Sequence, residues 1–452
     1  MKNKNIKEDT MENKKGLRMV IIVSALMFVI LFTLLETRAI QAQTSAIRTV
    51  KVGWWTDLTG PLADSVGTQL KGGQDYFKYV NEEEGGIKGK GGVVKVEMLW
   101  VDHKCNPTIA LEAYARWRTD PNLVIVQDCL ASIVMAAEDK VKADKIPTLY
   151  HAGTLQVVME PIRDYVYMTG FPRDMVIAGM VDWFLANWKE KRPPKFAMIS
   201  CDQGWAKHCM FEGGGAKYAK ARGVDVVQQI VVPTFPTDTT SELRKIKEAG
   251  ANFIYGNFCP MTAAIVIKDA YRMGLNIPLI LDQCNQGPEI IGLLKEAGEG
   301  VYVTPTVMPF EGLADQFMTP GLKKAAMIHA KYNPGKRVAD APNYMMGLRQ
   351  AIIIGEIMRL TLEKVSAKDL NGEALKKYGI DAMKDFDCWG LNGPMYFPTD
   401  THIGQHSWLM VQQKGGKLYP VVKWQEAPFV TDTKLIKSSH LKPGTWKELL
   451  GK

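Results

Sequence analysis

The stretch Val52–Pro61, VGWWTDLTGP, joins an apolar, strand-forming run to residues that favour a turn. Trp54 and Trp55 are side chains that folded proteins bury, and as neighbours on a strand they face opposite sides of a sheet. Asp57 and the Gly-Pro pair that follows it favour a tight turn with exposed polar groups. The stretch therefore predicts a buried strand that ends at a polar sheet edge, where Asp57 either contacts a bound solute or caps the turn.

Length and composition indicate a globular protein of more than one domain. The chain has 452 residues, more than one hydrophobic core usually serves, with 46% hydrophobic and 23% charged residues. The formal net charge is +8, but the basic residues form no block beyond the N-terminal leader. Nucleic acid is therefore not an expected partner.

Residues 1–42 have the layout of a secretory signal peptide. Basic residues precede the uncharged apolar run Met19–Leu35, and small residues, Ala39 and Ala42, precede a cleavage point after Ala42. The alternative is an uncleaved membrane anchor, because the apolar run is close to the minimum length of a membrane span. After cleavage, the mature protein is expected in the periplasm.

From residue 48 onward, predicted strands alternate with predicted helices, and the same rhythm restarts near residue 195. This alternation predicts parallel sheets with helices on both faces. We therefore expect an α/β protein with two doubly wound parallel-sheet lobes joined by several crossings. The predicted boundaries are lobe 1 at 43–171 with 308–400 returning to it, lobe 2 at 172–307 with 401–430 returning to it, and a C-terminal tail at 431–452.

The chain after residue 305 follows a different pattern. Apolar residues at helical spacing predict one long helix over 343–365, and a shorter apolar run predicts a strand at 393–397. Two further apolar runs, 408–412 and 418–422, are separated by a Gly-Gly pair, which is typical of a β-hairpin. The returning segments are therefore expected to contain both helical and antiparallel strand structure.

Polar and small residues gather where the predicted parallel strands end. In open parallel sheets a ligand sits in the crevice beyond these carboxyl ends, where helix N-termini expose unpaired backbone N–H groups. The pattern favours a binding cleft, although every doubly wound fold has polar loops at these positions. The segments concerned are 56–61, 128–132, 150–154, 201–205, 258–260 and 282–286.

Several of these segments resemble one family. VKVGWWTDLTGPLADSVG at 50–67, VIVQDCLAS at 124–132 and PTLYHAGT at 147–154 are similar to the Leu/Ile/Val-type periplasmic solute-binding proteins of ABC transporters, which have the type 1 periplasmic-binding fold. The Gly-Gly-Ile-Lys-Gly run at 85–89 and the Asp-x-x-Cys-x-Pro motif at 102–107 are specific parts of the likeness. The resemblance covers roughly 49–425 and is strongest in the first lobe.

The resemblance implies a ligand site residue by residue. Cys105 and Cys129 match a disulfide of the family's first lobe. The family holds the ligand carboxylate with backbone N–H and hydroxyl groups at positions matching Leu130, Ala152 and Thr154. Leu130 replaces a serine, so one hydroxyl is lost unless that of Ser132 takes its place. Aromatic residues that cover the ligand from the second lobe match Trp205 and Phe258.

One departure from the family concerns the charge of the ligand. The family's glutamate, which pairs with an amino acid's ammonium group, falls on Gln283 here, with Asp282 beside it. A carboxamide does not neutralise a cation, and the loss of such a charge-assisted hydrogen bond costs about 1.5–3 kcal/mol. Asp128 also stands at a position that is usually apolar, so either Asp128 or Asp282 is a candidate counter-ion. The expected ligand is an amino-acid-like, amide or carboxylate-bearing molecule.

The resemblance therefore implies a non-enzymatic, monomeric solute-binding protein that delivers its ligand to an ABC permease in the inner membrane. A periplasmic sensor that reports ligand occupancy to a receptor is the alternative. No cofactor is expected, and no metal, because the seven cysteines form no Cys-x-x-Cys pair with zinc spacing. Besides the disulfide of the first lobe, Cys201 with Cys209 and Cys259 with Cys284 are candidate pairs in an oxidising compartment.

Overall fold

The computed structural model describes Met27 and residues 47–151, 153, 162–212, 214–341 and 343–428. The chain divides into two compact units, Met1–Arg48 and Thr49–Lys452. The predicted signal peptide, apart from Met27, and the predicted tail lie outside the described residues. Among the described residues, no helix is both long enough and apolar enough to cross a membrane.

The first half of the fold is built on a six-stranded sheet with the strand order β2-β3-β1-β4-β5-β6. β1, β4, β5 and β6 pair in parallel, whereas β2 and β3 form an antiparallel pair. All six residues of β4, LVIVQD, are buried, as expected of a central parallel strand. The strands and their helices are β1 (Arg48–Thr56), α1 (Ala63–Glu83), β2 (Ile87–Gly89), β3 (Gly92–Asp102), α2 (Pro107–Trp117), β4 (Leu123–Asp128), α3 (Ala131–Asp144), β5 (Thr148–Tyr150) and β6 (Val166–Met168).

The second half is built on a seven-stranded sheet with the order β13-β12-β11-β10-β9-β7-β8. β7 to β11 pair in parallel, and β12 and β13 add an antiparallel hairpin. A π-helical turn, His208–Glu212, follows α5. The elements are α4 (Arg173–Asn187), β7 (Lys195–Cys201), α5 (Gly204–Lys207), α6 (Gly214–Ala221), β8 (Asp225–Val232), α7 (Thr240–Glu248), β9 (Phe253–Asn257), α8 (Pro260–Arg272), β10 (Leu279–Leu281), α9 (Pro288–Leu294), β11 (Tyr302–Val303), β12 (Ser407–Lys414) and β13 (Lys417–Glu426).

Between β11 and β12 the chain forms α10 (Pro320–Tyr332), α11 (Tyr344–Leu362) and the short α12 (Gly372–Ala374). α11 is almost wholly buried and packs along α1 of the first half. The two helices approach so closely at Gly72 and Gly347 that a Cβ on either residue would meet backbone atoms of the other helix. Two glycines thus allow direct backbone contact between these helices.

The first strand accounts for both tryptophans of the opening motif. Trp54 and Trp55 are each 1% exposed. The Trp55 ring lies against Tyr114 and Trp117 of α2, with centroid separations of 5.8 and 6.3 Å, and its Nε1 donates to the Ala110 carbonyl at 3.1 Å. Trp54 lies on the other face, where it would contact a Cβ placed on Gly73 of α1. Both tryptophans are core residues, one on each face of the sheet.

Arg349 of α11 connects the segments that run between the two halves. Its side chain is 0% exposed. Nη2 donates to the Thr169 carbonyl after β6 and, at 2.9 Å, to Gln405 Oε1 before β12. Nε donates to Asn392 Oδ1 at 2.9 Å. Burial lowers the pKa of Arg349 to about 10, which still leaves the guanidinium charged at neutral pH. The oxygen atoms that accept its hydrogen bonds are all neutral.

The fold class predicted from the sequence, two parallel-sheet α/β halves, is confirmed. The hairpin is also confirmed, with Gly415 and Gly416 at φ 56° and 72°. The predicted strand at 393–397 is wrong: Met395 makes only isolated bridges, to Phe386 and Gln405. α4 and α10 were not predicted. The placement of β12 and β13 in the second sheet is consistent with the proposed return of the chain, but the lobe boundaries themselves remain a prediction.

The glycine contact between α1 and α11 gives a stability test. Gly347→Ala places a methyl group against the Gln69 carbonyl, and the two helices must separate. We expect this to lower the free energy of unfolding by about 1–3 kcal/mol, even though alanine is the better helix former. Gly204→Ala is the matched control, because a Cβ at Gly204 meets nothing within 4 Å. Urea unfolding followed by circular dichroism measures both, and equal stability of the two variants would contradict the contact.

Candidate functional site

A cavity of about 460 Å³ lies between the two halves. Its wall consists of loops and helix starts that follow the carboxyl ends of β1, β3, β4 and β5 on one side and of β7, β9 and β10 on the other. This is the crevice in which parallel α/β sheets hold ligands. The first half contributes, among others, Leu62, Cys105, Cys129, Leu130, Ser132 and His151, and the second half Arg173, Gln203, Trp205, Cys259, Gln283 and Cys284.

Met346 of α11 and Asn343, the residue before that helix, complete the wall. Of the residues predicted as ligand contacts, the structure brings together Leu130, Ser132, Trp205 and Gln283 around this cavity. Ala152 and Thr154 lie outside the described residues. The remaining predicted contacts, Asp57, Asp128, Phe258 and Asp282, are each 0% exposed and are not part of the described wall.

Asp57 caps the turn that follows β1. Its Oδ1 accepts from the Gly60 N–H at 2.6 Å, and its Oδ2 accepts from the Leu62 N–H at 2.8 Å. The Cys105 thiol donates to the same Oδ2 at 2.8 Å. Of the two roles open to Asp57 from the sequence, the structure supports the cap, because both carboxylate oxygens are engaged within the protein.

Asp128 organises the loop after β4. Its Oδ1 accepts from the backbone N–H groups of Cys129 and Leu130, at 2.6 and 2.9 Å. Its Oδ2 faces His103 Nε2 at 3.4 Å, while His103 Nδ1 accepts from the Cys105 N–H at 3.0 Å. Burial raises the pKa of Asp128, and the contact with His103 opposes that rise. Asp128 therefore holds the loop that contributes Cys129 and Leu130 to the wall, and is not itself one of the described lining residues.

The expected disulfide between Cys105 and Cys129 is not formed. Both residues line the cavity as free thiols, and all seven cysteines of the chain are free. The prediction failed because the Cys105 thiol is directed to the Asp57 carboxylate. Burial and that hydrogen bond raise the pKa of Cys105 to about 12. The candidate pairs Cys201 with Cys209 and Cys259 with Cys284 are likewise unbonded.

Arg173, at the start of α4, is a wall residue that sequence reasoning missed. Its Nε donates to Asp282 Oδ2 at 3.2 Å, and its Nη2 contacts Cys284 Sγ at 3.1 Å. The guanidinium lies over the Trp205 ring, 4.5 Å from the centroid, an arrangement that favours a cation. The sequence signal that could have identified it is its position shortly after β6, where the chain leaves the first sheet for the second half.

Gln283 and His151 are wall residues whose buried side-chain polar atoms have no hydrogen-bond partner among the described residues. Gln283 is 1% exposed, and both its Oε1 and Nε2 are unpartnered. The same holds for Nδ1 and Nε2 of His151, which is 2% exposed. Burial, together with the charges of Arg349 and Arg173, lowers the pKa of His151 well below its usual value. Buried polar atoms are rarely left unpaired, so these side chains indicate a ligand or water position.

The neutral state of His151 has a consequence for acid stability. The unfolded chain takes up a proton on this residue near pH 6.5 and the folded chain does not, so stability falls as the pH drops below about 6.5. At pH 5.5 one such histidine lowers the free energy of unfolding by about 1.4 kcal/mol relative to neutral pH. His151→Gln should remove this loss of stability. The measurement is the difference in the free energy of unfolding between pH 7.5 and pH 5.5, compared between the variant and the wild type. His329 and His402, whose pKa values are also lowered by burial, remain in both proteins. An unchanged pH dependence in the variant would contradict the assignment.

Solved structures share this fold. A branched-chain amino acid ABC transporter protein from Thermus thermophilus with bound valine has a TM-score of 0.72 at 20% identity, covering 83% of this chain and 96% of that one. A solute-binding protein of an ABC transporter from R. palustris, in complex with 4-hydroxybenzoate, has a TM-score of 0.64 at 20% identity, with coverages of 84% and 98%. A leucine-binding protein from Thermotoga maritima has a TM-score of 0.62 at 16% identity, with coverages of 83% and 99%.

Sequence comparison gives the family itself. None of the curated proteins matches the chain. The family model described as periplasmic binding protein matches residues 49–417, which include both sheets up to the start of the last strand. A match over this much of the chain shows membership and not only a shared fold. The protein is therefore a member of the periplasmic binding protein family.

Proposed function

We propose that this protein is the exported solute-binding component of an ABC importer, which holds a small amino-acid-like, amide or carboxylate-bearing molecule between its two halves and presents it to a permease in the inner membrane. The observation that carries the proposal is the cavity, whose wall comes from the strand ends of both sheets. A ligand in contact with both walls favours the closed arrangement over an open one, because it gains the second set of contacts only on closure.

The proposed moving bodies are lobe 1, 43–171 with 308–400, and lobe 2, 172–307 with 401–430. Support for them comes from the two separate sheets and from Arg349, whose hydrogen bonds join segments that cross between them. The predicted signal peptide at 1–42 fits a periplasmic location, which is also where the family's name places it. No specific observation in the described residues favours a sensor over a transport role.

The charges of the lining residues indicate which class of ligand the cavity suits. Among the described residues, neither Asp nor Glu lines the cavity, and Gln283 stands where the resemblance places the family's glutamate. An ammonium group there would lack a charged partner, at a cost of about 1.5–3 kcal/mol. The relatives' ligands, valine and 4-hydroxybenzoate, both carry a carboxylate. We therefore place amides and carboxylates ahead of standard branched-chain amino acids.

The proposal is tested by identifying what the protein carries. Native mass spectrometry of the freshly purified mature protein should detect one bound small molecule per chain, recovered chemically unchanged. The same compound added back to stripped protein should raise the melting temperature. Absence of any bound or added small molecule, across amino acids, amides and organic acids, would contradict a solute-binding role, and a chemically altered product would point to an enzyme.

Trp205 should contribute directly to binding. It lines the cavity and is held there by the Arg173 guanidinium, so Trp205→Ala removes an aromatic surface from the ligand. We expect at least tenfold weaker binding of the recovered compound by isothermal calorimetry, because aromatic contacts dominate such sites. Trp100→Ala is the control, since Trp100 is 49% exposed and is not part of the wall. Equal affinity in the two variants would exclude Trp205 from the site.

A further inference from the structure

We infer that Arg173 anchors a ligand carboxylate, so that the cavity selects apolar organic acids that lack an ammonium group. This deepens the proposed function and rests on it, because it takes the cavity to be a ligand site. Nothing in the family resemblance assigns a role to Arg173; the inference comes from the position of its side chain.

The guanidinium is fixed on one side and free on the other. Nε and Nη2 are engaged by Asp282 and Cys284 of the second half, and Trp205 covers one face. Among the described residues, Nη1 has no hydrogen-bond partner, although Arg173 is part of the wall. An arginine donates hydrogen bonds and accepts none, so the ligand group that meets Nη1 must be an acceptor. A carboxylate is the acceptor that forms the stronger, charge-assisted bond.

Charge across the wall favours an anion over a zwitterion. Arg173 is the one residue with a permanent charge among the described lining residues, since neither Asp nor Glu is present there. Asp282 does not offer itself to an ammonium group, because it is 0% exposed and its oxygens accept from Arg173 and, at 3.3 Å, from Asn285. A ligand ammonium would therefore be desolvated near a fixed cation without a counter-ion.

The rest of the wall defines the remainder of the molecule. Leu62, Val66, Leu130 and Met346 offer an apolar surface, which suits a branched or aromatic body. The free carboxamide of Gln283, with one acceptor and one donor group, fits a neutral hydroxyl or carbonyl on that body. The cavity of about 460 Å³ is within the usual range for small-molecule sites, about 300–1,000 Å³.

The test uses two matched sets of probes on the mature protein: 4-methylpentanoate, its amide and leucine, and 3-phenylpropanoate, its amide and phenylalanine. Each set shares one apolar body and differs only at the polar end. We expect the acid to bind at least tenfold more tightly than the amide or the amino acid by calorimetry. Arg173→Met should weaken acid binding at least tenfold and alter amide binding less.

Two further variants separate binding from folding. Arg173→Met leaves Asp282 buried without its partner, so the double variant R173M/D282N removes both charges together. Arg163→Met is the control, because Arg163 is 7% exposed and pairs with Glu138 at 2.8 Å but does not line the cavity. Circular dichroism establishes that each variant is folded. The control should keep the preference of the wild type for the acid, and the double variant should lose it.

Tighter binding of leucine or phenylalanine than of the matching acid would overturn the inference, as would unchanged acid binding in a folded R173M/D282N protein. If no probe binds, the compound recovered by native mass spectrometry decides: a carboxylate without an ammonium group supports the inference, and any other compound overturns it. A protein that carries and binds no small molecule at all contradicts the proposed function itself, so the two failures are distinguishable.

Discussion

Parallel pairing of strands is the constraint on which the rest of this structure depends. Because parallel strands all end at the same edge, the loops after β1, β4 and β5 meet on one side of the cavity. The loops after β7, β9 and β10 meet in the same way on the other side. Residues far apart in the chain, such as Leu130 and Gln283, thereby line one cavity from opposite sides.

Buried hydrogen bonds of three aspartates fix the loops at the carboxyl ends of the strands. Asp57, Asp128 and Asp282 each direct their oxygens to backbone N–H groups or to neighbouring side chains, and each is fully buried. Such carboxylates are stable in the interior because their hydrogen bonds replace those lost from water. On the cavity wall, the side chains of Gln283 and His151 keep buried polar atoms without a hydrogen-bond partner among the described residues.

The fold and part of the site were predictable from the sequence, for local reasons. The strand of VGWWT and β4, which begins with four apolar residues, follow from residue type alone, and the Gly-Gly hairpin follows from turn chemistry. α4 escaped prediction because its first nine residues, Arg173 to Val181, are all buried, which removes the helical alternation of apolar and polar positions. Arg173 was missed with it. The roles of the three aspartates depend on which atoms face them in space, and no residue spacing contains that information.

The backbone contact between Gly72 and Gly347 makes the two walls of the cavity unequal. α11 lies directly against α1, so Met346 of α11 and Asn343, the residue before that helix, are tied to the first half. If the halves swing apart, these residues stay with Leu62 and Leu130, and the first half keeps the larger share of the apolar surface. The apolar body of a ligand would therefore contact mainly the first half, whereas Arg173 and Gln283 of the second half would face its polar groups. The first half would thus select a ligand by its shape, and the second half by its charge.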